Sequence, residues 1–150
     1  MTPGGQWPPG VALFRTVPTP PTSPTDSVRL ELDVPAEARV GSTVPITLRV
    51  RNVGDRPIDL YLRGRTIAFD VIVRRPGGEP VWRRLEHEII PAILRLETLG
   101  PRQVLELHAE WFLDAEARAG VAAALYHLEG LLLTDGAPLR TEAVTLLVHA

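Results

Sequence analysis

Hydrophobic and polar residues alternate along most of the chain after residue 27. Between residues 28 and 34 every second residue is apolar, and charged residues lie between them. A period of two is that of a β-strand with one buried face and one face in water. The same alternation recurs in 44–50, 58–62, 66–74, 105–111, 124–132 and 144–148. Towards the end of 124–132 the residues of both alternating series are apolar, which predicts burial on both faces of the strand there.

The strongest local signal is a β-hairpin over residues 66–82. Its turn, Arg75 to Glu79, contains Pro76-Gly77-Gly78, a fixed φ followed by two residues that tolerate positive φ. Trp82 opens the return strand and is expected to pack in the core. On the outgoing strand, Ile67, Phe69, Val71 and Val73 share the predicted buried face, opposite Ala68, Asp70, Ile72 and Arg74. Asp70 is expected either in water or, preferably, hydrogen-bonded to a neighbouring loop.

Residues 86–96 break the pattern, because their apolar residues do not alternate and Pro91 lacks a backbone donor. We predict a loop here with an apolar anchor and at most one helical turn. The remaining pattern gives seven to eight short strands separated by turn residues. Such a pattern is typical of an all-β, immunoglobulin-like antiparallel β-sandwich, with a Greek-key barrel as the nearest alternative.

The first 27 residues have a different composition from the rest. They contain seven of the fifteen prolines, interleaved with Thr, Ser and Gly. A segment of this kind buries too little apolar surface to offset its ordering entropy. We therefore predict a flexible Pro-rich arm at 1–27 and one folded domain at 28–150, which is long enough for a single core.

Charge and composition narrow the function classes. A net charge of −2 and a pI near 6.1 provide no basic surplus, so nucleic-acid binding is not expected. No apolar run approaches the ~18 residues of a membrane span. Cysteine is absent, which excludes disulfides and fits a reducing compartment. A cytoplasmic location is favoured, and a secreted or envelope location stays open.

Residues suited to catalysis or metal binding are sparse in the predicted domain. His87, His108, His127 and His149 do not have the two-to-four spacing of ligands on one element. Ser42 lies in a predicted turn and has no nucleophile-elbow sequence around it. We therefore expect no enzyme activity, no metal and no cofactor.

The order of several landmarks resembles the BsuPI-type intracellular proteinase inhibitor domain. The strand 44–52 is similar to that family's early strand, which ends in Asn, and the resemblance covers roughly residues 28–148. The later landmarks are Phe69-Asp70, Pro76-Gly77-Gly78, Val81-Trp82, Gly100-Pro101, Trp111 and Tyr126 to Gly130. The resemblance implies a small binding protein that blocks an intracellular subtilisin-type serine protease.

A rigid sandwich would do so by presenting an extended loop to the protease cleft. Two loops qualify: the hairpin tip 74–80 and the segment 84–94, which we prefer because exposed isoleucines need a partner. The predicted contact residues are Arg74 and Arg75 in the first, and Arg84, Leu85, Glu86, His87, Glu88, Ile89 and Ile90 in the second.

Two alternatives remain open at this point. The isoleucines of 84–94 could instead cap the open end of the sandwich. The chain could also be a non-inhibitory interaction or accessory module of the cell envelope or a larger assembly. A protruding apolar loop next to a buried Trp82 would favour inhibition, and a collapsed loop would favour the accessory role. The sequence does not set the oligomeric state.

Overall fold

A computed structural model describes residues 27–114 and 121–150 of the chain. Apart from Ser27, the predicted arm lies outside the described residues. The strands are β1 (Val28–Asp33), β2 (Glu37–Arg39), β3 (Thr43–Asn52), β4 (Ile58–Arg63), β5 (Phe69–Arg74), β6 (Pro80–Arg83), β7 (Leu94–Leu99), β8 (Val104–Phe112), β9 (Ala124–Leu132), β10 (Leu139–Arg140) and β11 (Val144–His149).

These strands form two facing sheets and a smaller strand pair. One sheet has the order β1-β3-β8, and the other has β2-β11-β9-β5-β6 with β10 added to β9. Strands β4 and β7 pair with each other, and a bridge from Leu62 to Thr134 connects them to the segment after β9. Every pairing is antiparallel except that of β2 with β11.

The apolar faces of the two sheets meet in one core. The alternation in β3 and β8 points one set of side chains inward, as predicted, and β11 does the same with Leu146 and Val148. In β9, residues 130–132 are buried on both faces, also as predicted. The all-β, immunoglobulin-like β-sandwich is confirmed.

An aromatic cluster joins the two sheets. Trp111 of β8 is buried, and its ring lies 6.1 Å from that of Trp82 and 5.6 Å from that of Tyr126. The Tyr126 hydroxyl donates to the carbonyl of Ala122 at 2.8 Å and accepts from its N–H at 3.1 Å. A tyrosine bonded to the backbone a few residues upstream is the tyrosine corner of immunoglobulin-like sandwiches.

The expectation that one face of β5 is exposed to water is wrong. Asp70 and Ile72 are only 2% and 6% exposed, and Ala68 just before the strand is buried as well. Strand β5 lies between β9 and β6, so both its edges are paired. On the Asp70 side, Arg83 at the end of β6 and Leu85 just after it donate hydrogen bonds to the carboxylate.

Three strands were not expected: the short strands β2 and β10, and the six-residue β7. Of these, β7 occupies the end of the segment predicted as a loop, so the loop is shorter and ends at Ile93. Its pattern is inverted, because Leu94 and Leu96 face outward while Arg95 and Glu97 lie on the half-buried side. The hairpin turn, in contrast, forms as predicted, with Gly78 at a φ of 96°.

Candidate functional site

The segment 84–93, which we call the β6–β7 loop, leaves β6 through a series of hydrogen-bonded turns. The N–H of Arg84 donates to the carbonyl of Val71 at 3.0 Å, which extends the β5–β6 pairing by one step. The amides of Glu86 and Glu88 then donate to carbonyls three residues earlier, at 3.2 and 3.1 Å. The first half of the loop is therefore locally ordered.

The far end of the loop is fixed by the turn that precedes β5. The N–H of Gly64 donates to the carbonyl of Ile93 at 2.9 Å. Gly64 has a φ of 98°, and a Cβ atom there would lie 2.5 Å from the carbonyl oxygen of Thr66. Only glycine fits this backbone without strain. Both ends of the β6–β7 loop are thus held by β5 or by the turn before it.

Asp70 holds the base of the loop from inside the fold. Its Oδ1 accepts hydrogen bonds from the amides of Val71 at 2.9 Å and Leu85 at 3.0 Å. Its Oδ2 accepts from the guanidinium of Arg83 at 3.0 and 2.6 Å. A buried carboxylate needs this many donors to offset its lost hydration. The preferred expectation, that Asp70 hydrogen-bonds a neighbouring loop, is confirmed.

Arg84 also belongs to the base of the loop. Its guanidinium carbon lies 3.9 Å from the centroid of the Phe69 ring, and NH1 donates to the Phe69 carbonyl at 2.8 Å. Burial lowers the pKa of Arg84, while the charges of Glu88 and Asp70 oppose that shift. An arginine stays protonated despite such a shift, so Arg84 places a fixed positive charge under the loop.

The two isoleucines of the loop have different surroundings. Ile89 is 93% exposed, the highest value among the large hydrophobic residues described. Both isoleucines contribute to the lining of a cavity of about 240 Å³ between the loop and the turn 64–68, but Ile90 is half-buried. Glu86, His87 and Glu88 are exposed beside Ile89, and Leu85 is half-buried. Ile89 therefore protrudes, and Ile90 supports the loop from below.

The hairpin-tip arginines lie elsewhere. In the β5–β6 register Ile72 faces Arg83 and Arg74 faces Pro80, so the tip and the β6–β7 loop are at opposite ends of this hairpin. The Arg74 guanidinium is 4.0 Å from Glu129, and that of Arg75 is 3.9 Å from Glu79. The nine predicted contact residues thus form two separate groups rather than one surface.

A groove beside the loop was missed by sequence reasoning. It has a volume of about 550 Å³ and lies between β6 and β8, the edge strands of the two sheets. Its walls come from distant parts of the chain, so no local pattern indicates it. The lining residues are Trp82, Arg84, Glu88, His108, Ala109 and Glu110. The half-buried Trp82 is the large apolar residue of this lining, and Arg84, Glu88 and Glu110 are its charged residues.

A second apolar surface lies on the outer face of the β4–β7 pair. Tyr61 and Leu96 are direct cross-strand neighbours, 52% and 51% exposed, and Leu94 on the same face is 51% exposed. Apolar side chains that form a contiguous exposed cluster are a feature of interaction surfaces. Sequence reasoning placed Leu94 in a loop and assigned no role to Tyr61, so it did not group them.

Within the two described ranges, no helix has the length and hydropathy needed to cross a membrane. No protein-family model matches the chain, and no curated protein matches it in sequence.

Solved structures resemble the fold only distantly. The DNA glycosylase AlkC from Pseudomonas fluorescens, bound to abasic-site DNA, has a TM-score of 0.49 and 13% identity over 83% of this chain and 31% of that one. A β-glucosidase from Listeria innocua has a TM-score of 0.46 and 10% identity over 82% and 16%. The CARDB domain of the PF1109 protein from Pyrococcus furiosus has a TM-score of 0.43 and 12% identity over 82% and 94%. The chain spans less than a third of the first two proteins, and none of these likenesses indicates a function.

Proposed function

We propose that this chain is a proteinase inhibitor-like binding domain of the BsuPI type, which blocks an intracellular subtilisin-type serine protease with its β6–β7 loop. The observation that supports the proposal is the exposure of Ile89, at 93%, on a loop whose two ends are tied to the sandwich. Of the two features expected of an inhibitor, the loop protrudes, while Trp82 is half-buried rather than buried.

The free energy of binding would come from two sources. Burying an isoleucine side chain contributes about 1.5–3 kcal/mol, and Ile89 gains nearly all of this on binding because almost none of it is buried beforehand. A loop already held in place loses little conformational entropy when it binds. The Asp70 and Gly64 contacts provide that rigidity at the two ends of the loop.

The loop residues take distinct roles under this proposal. Ile89 enters an apolar pocket of the protease, and the backbone around it pairs with the walls of the cleft. Glu86, His87 and Glu88 form a polar rim around that contact. Arg84, Leu85 and Ile90 position the loop, and the hairpin-tip arginines make no contact with this protease. Binding requires no cofactor and takes place in the cytoplasm.

Changing Ile89 to serine is expected to weaken inhibition by about 10- to 100-fold, because the protease loses the burial of one isoleucine side chain. The measurement is a titration of the purified domain into a subtilisin-type protease with a chromogenic peptide. The wild-type domain should inhibit stoichiometrically.

Leu125→Ser is the matched control, since Leu125 is 44% exposed on β9, outside the β6–β7 loop. It should inhibit like the wild type. Equal inhibition by the wild type and Ile89→Ser would refute the role of the loop. A wild-type domain that survives undigested without inhibiting would refute the proposed function and leave the accessory-module alternative.

A further inference from the structure

Strand β7 has one unpaired edge in the described part of the chain. It pairs with β4 on one side, and no other described strand pairs with it. The hydrogen bond from the Gly64 N–H to the Ile93 carbonyl lies in the same register as β4 and β7. Because antiparallel strands alternate between bonded and non-bonded pairs, Arg95 and Glu97 bond towards β4. The backbone groups of Leu94, Leu96 and Thr98 therefore point to the open edge.

The side chains along this edge follow the same alternation. Leu94, Leu96 and Thr98 project from the exposed face of the β4–β7 pair. Arg95 and Glu97 project from the other face, with the Arg95 Nε 3.2 Å from a Glu97 carboxylate oxygen. In each copy of β7, the positive Arg95 thus precedes Leu96 and the negative Glu97 follows it.

We propose that the chain associates with a second copy of itself through antiparallel pairing of the two β7 strands, centred on Leu96. Two-fold symmetry then places Leu96 opposite Leu96 of the second copy, and Leu94 opposite Thr98. These residues are the ones whose N–H and C=O groups are open. The pairing forms six backbone hydrogen bonds and turns two strand pairs into one four-stranded sheet.

Charge selects this register over its neighbours. A pairing centred on Arg95 would place the two arginines directly opposite each other, and one centred on Glu97 would do the same with two carboxylates. Like charges at directly opposed positions destabilise a strand pair. Centring on Leu96 instead places Arg95 of each copy opposite Glu97 of the other. The four charges then alternate in sign.

The exposed face of the β4–β7 pair adds apolar contacts between the two copies. The two Leu96 side chains become cross-strand neighbours, and each already lies beside Tyr61 in its own copy. The exposed surface of Tyr61, Leu94 and Leu96 becomes continuous across the pair. Six strand residues per copy are far fewer than the ~20–30 of a standard interface, so association is expected to be weak and concentration-dependent.

The test is sedimentation equilibrium of the full chain from about 10 µM to about 1 mM, a range suited to weak complexes. The wild-type mass should rise towards that of a dimer. Arg95→Glu and Glu97→Arg should each weaken association at least 10-fold, because each puts like charges opposite one another. The double variant, Arg95→Glu with Glu97→Arg, should recover it, since opposite charges face each other again.

Two further variants complete the test. Glu110→Arg makes the same charge reversal on the other sheet, at an exposed position of β8, and should associate like the wild type. Leu96→Pro removes an N–H that points away from β4, so it should abolish association and leave β4 pairing intact. Thermal melting followed by circular dichroism verifies that each variant is folded.

A wild-type chain that stays monomeric throughout the range overturns the proposal. A dimer that both single charge variants and Leu96→Pro leave unchanged also overturns it. Protease inhibition is measured separately in dilute solution, where the chain is monomeric. The proposed function and the self-association can therefore fail independently.

Discussion

Replacing Trp111 by alanine is expected to destabilise the domain by about 3–5 kcal/mol, the cost typical of removing a large aromatic side chain from a core. Trp111 is 2% exposed and belongs to the β1-β3-β8 sheet. Its ring stacks on Trp82 and meets Tyr126 edge-on at 77°, and both partners belong to the opposite sheet. The change therefore removes the main aromatic contact between the sheets. Domains of this size are stable by about 5–15 kcal/mol, so the variant will be close to unfolding.

Urea denaturation followed by circular dichroism measures this loss. Phe112→Ala is the matched control, because Phe112 is the next residue in β8, faces the other way and is 55% exposed. It should change the free energy of unfolding by no more than about 0.5 kcal/mol. Similar losses in both variants would contradict the assignment of the two faces of β8.

Replacing Asp70 by alanine is expected to cost about 2–4 kcal/mol and to loosen the base of the β6–β7 loop. The change removes the acceptor for two backbone amides, the buried one of Val71 and the part-buried one of Leu85. An unsatisfied buried amide costs about 1–3 kcal/mol, and a part-buried one costs less because water can reach it. The Arg83 pair adds less than its short distance suggests, because half of that side chain is exposed.

Asp59→Ala is the comparison for this change. Asp59 also accepts a side-chain hydrogen bond, from Thr98 at 2.7 Å, but it lies on the exposed face of β4. The Asp59→Ala variant should lose less than about 1 kcal/mol of unfolding free energy in urea denaturation. Faster proteolysis within residues 84–93 of the Asp70 variant would accompany the loss of stability. Equal stability of the two variants would contradict the role assigned to Asp70.

Local alternation predicted most of the fold, because burial of one face imposes it directly on the sequence. Strands β3, β8 and β11 show this, since their inward sets are the predicted ones. Alternation failed where burial depends on chain that folds back from elsewhere. Asp70 is polar in sequence yet buried, since the donors that make burial tolerable are Arg83 and Leu85 beyond the hairpin turn.

The site was predictable only in part. The isoleucines identified the β6–β7 loop, but their separation into an exposed Ile89 and a half-buried Ile90 depends on the turn 64–68 packing beneath them. Strand β7 was missed because its leucines face water, the reverse of the usual pattern. The groove between β6 and β8 arises only when the two sheets come together, so it has no local sequence signal.

Amide hydrogen exchange measures whether the β6–β7 loop contacts a protease, as proposed. The domain is compared alone and with a subtilisin-type protease whose catalytic serine has been blocked. The amides of Ile89 and Ile90 make no hydrogen bond within the described residues, so they should exchange fast in the free domain. Pairing with the cleft is expected to slow exchange across residues 88–93 and to leave exchange at the hairpin tip 75–79 unchanged. Protection at the tip alone, or none anywhere, would contradict it.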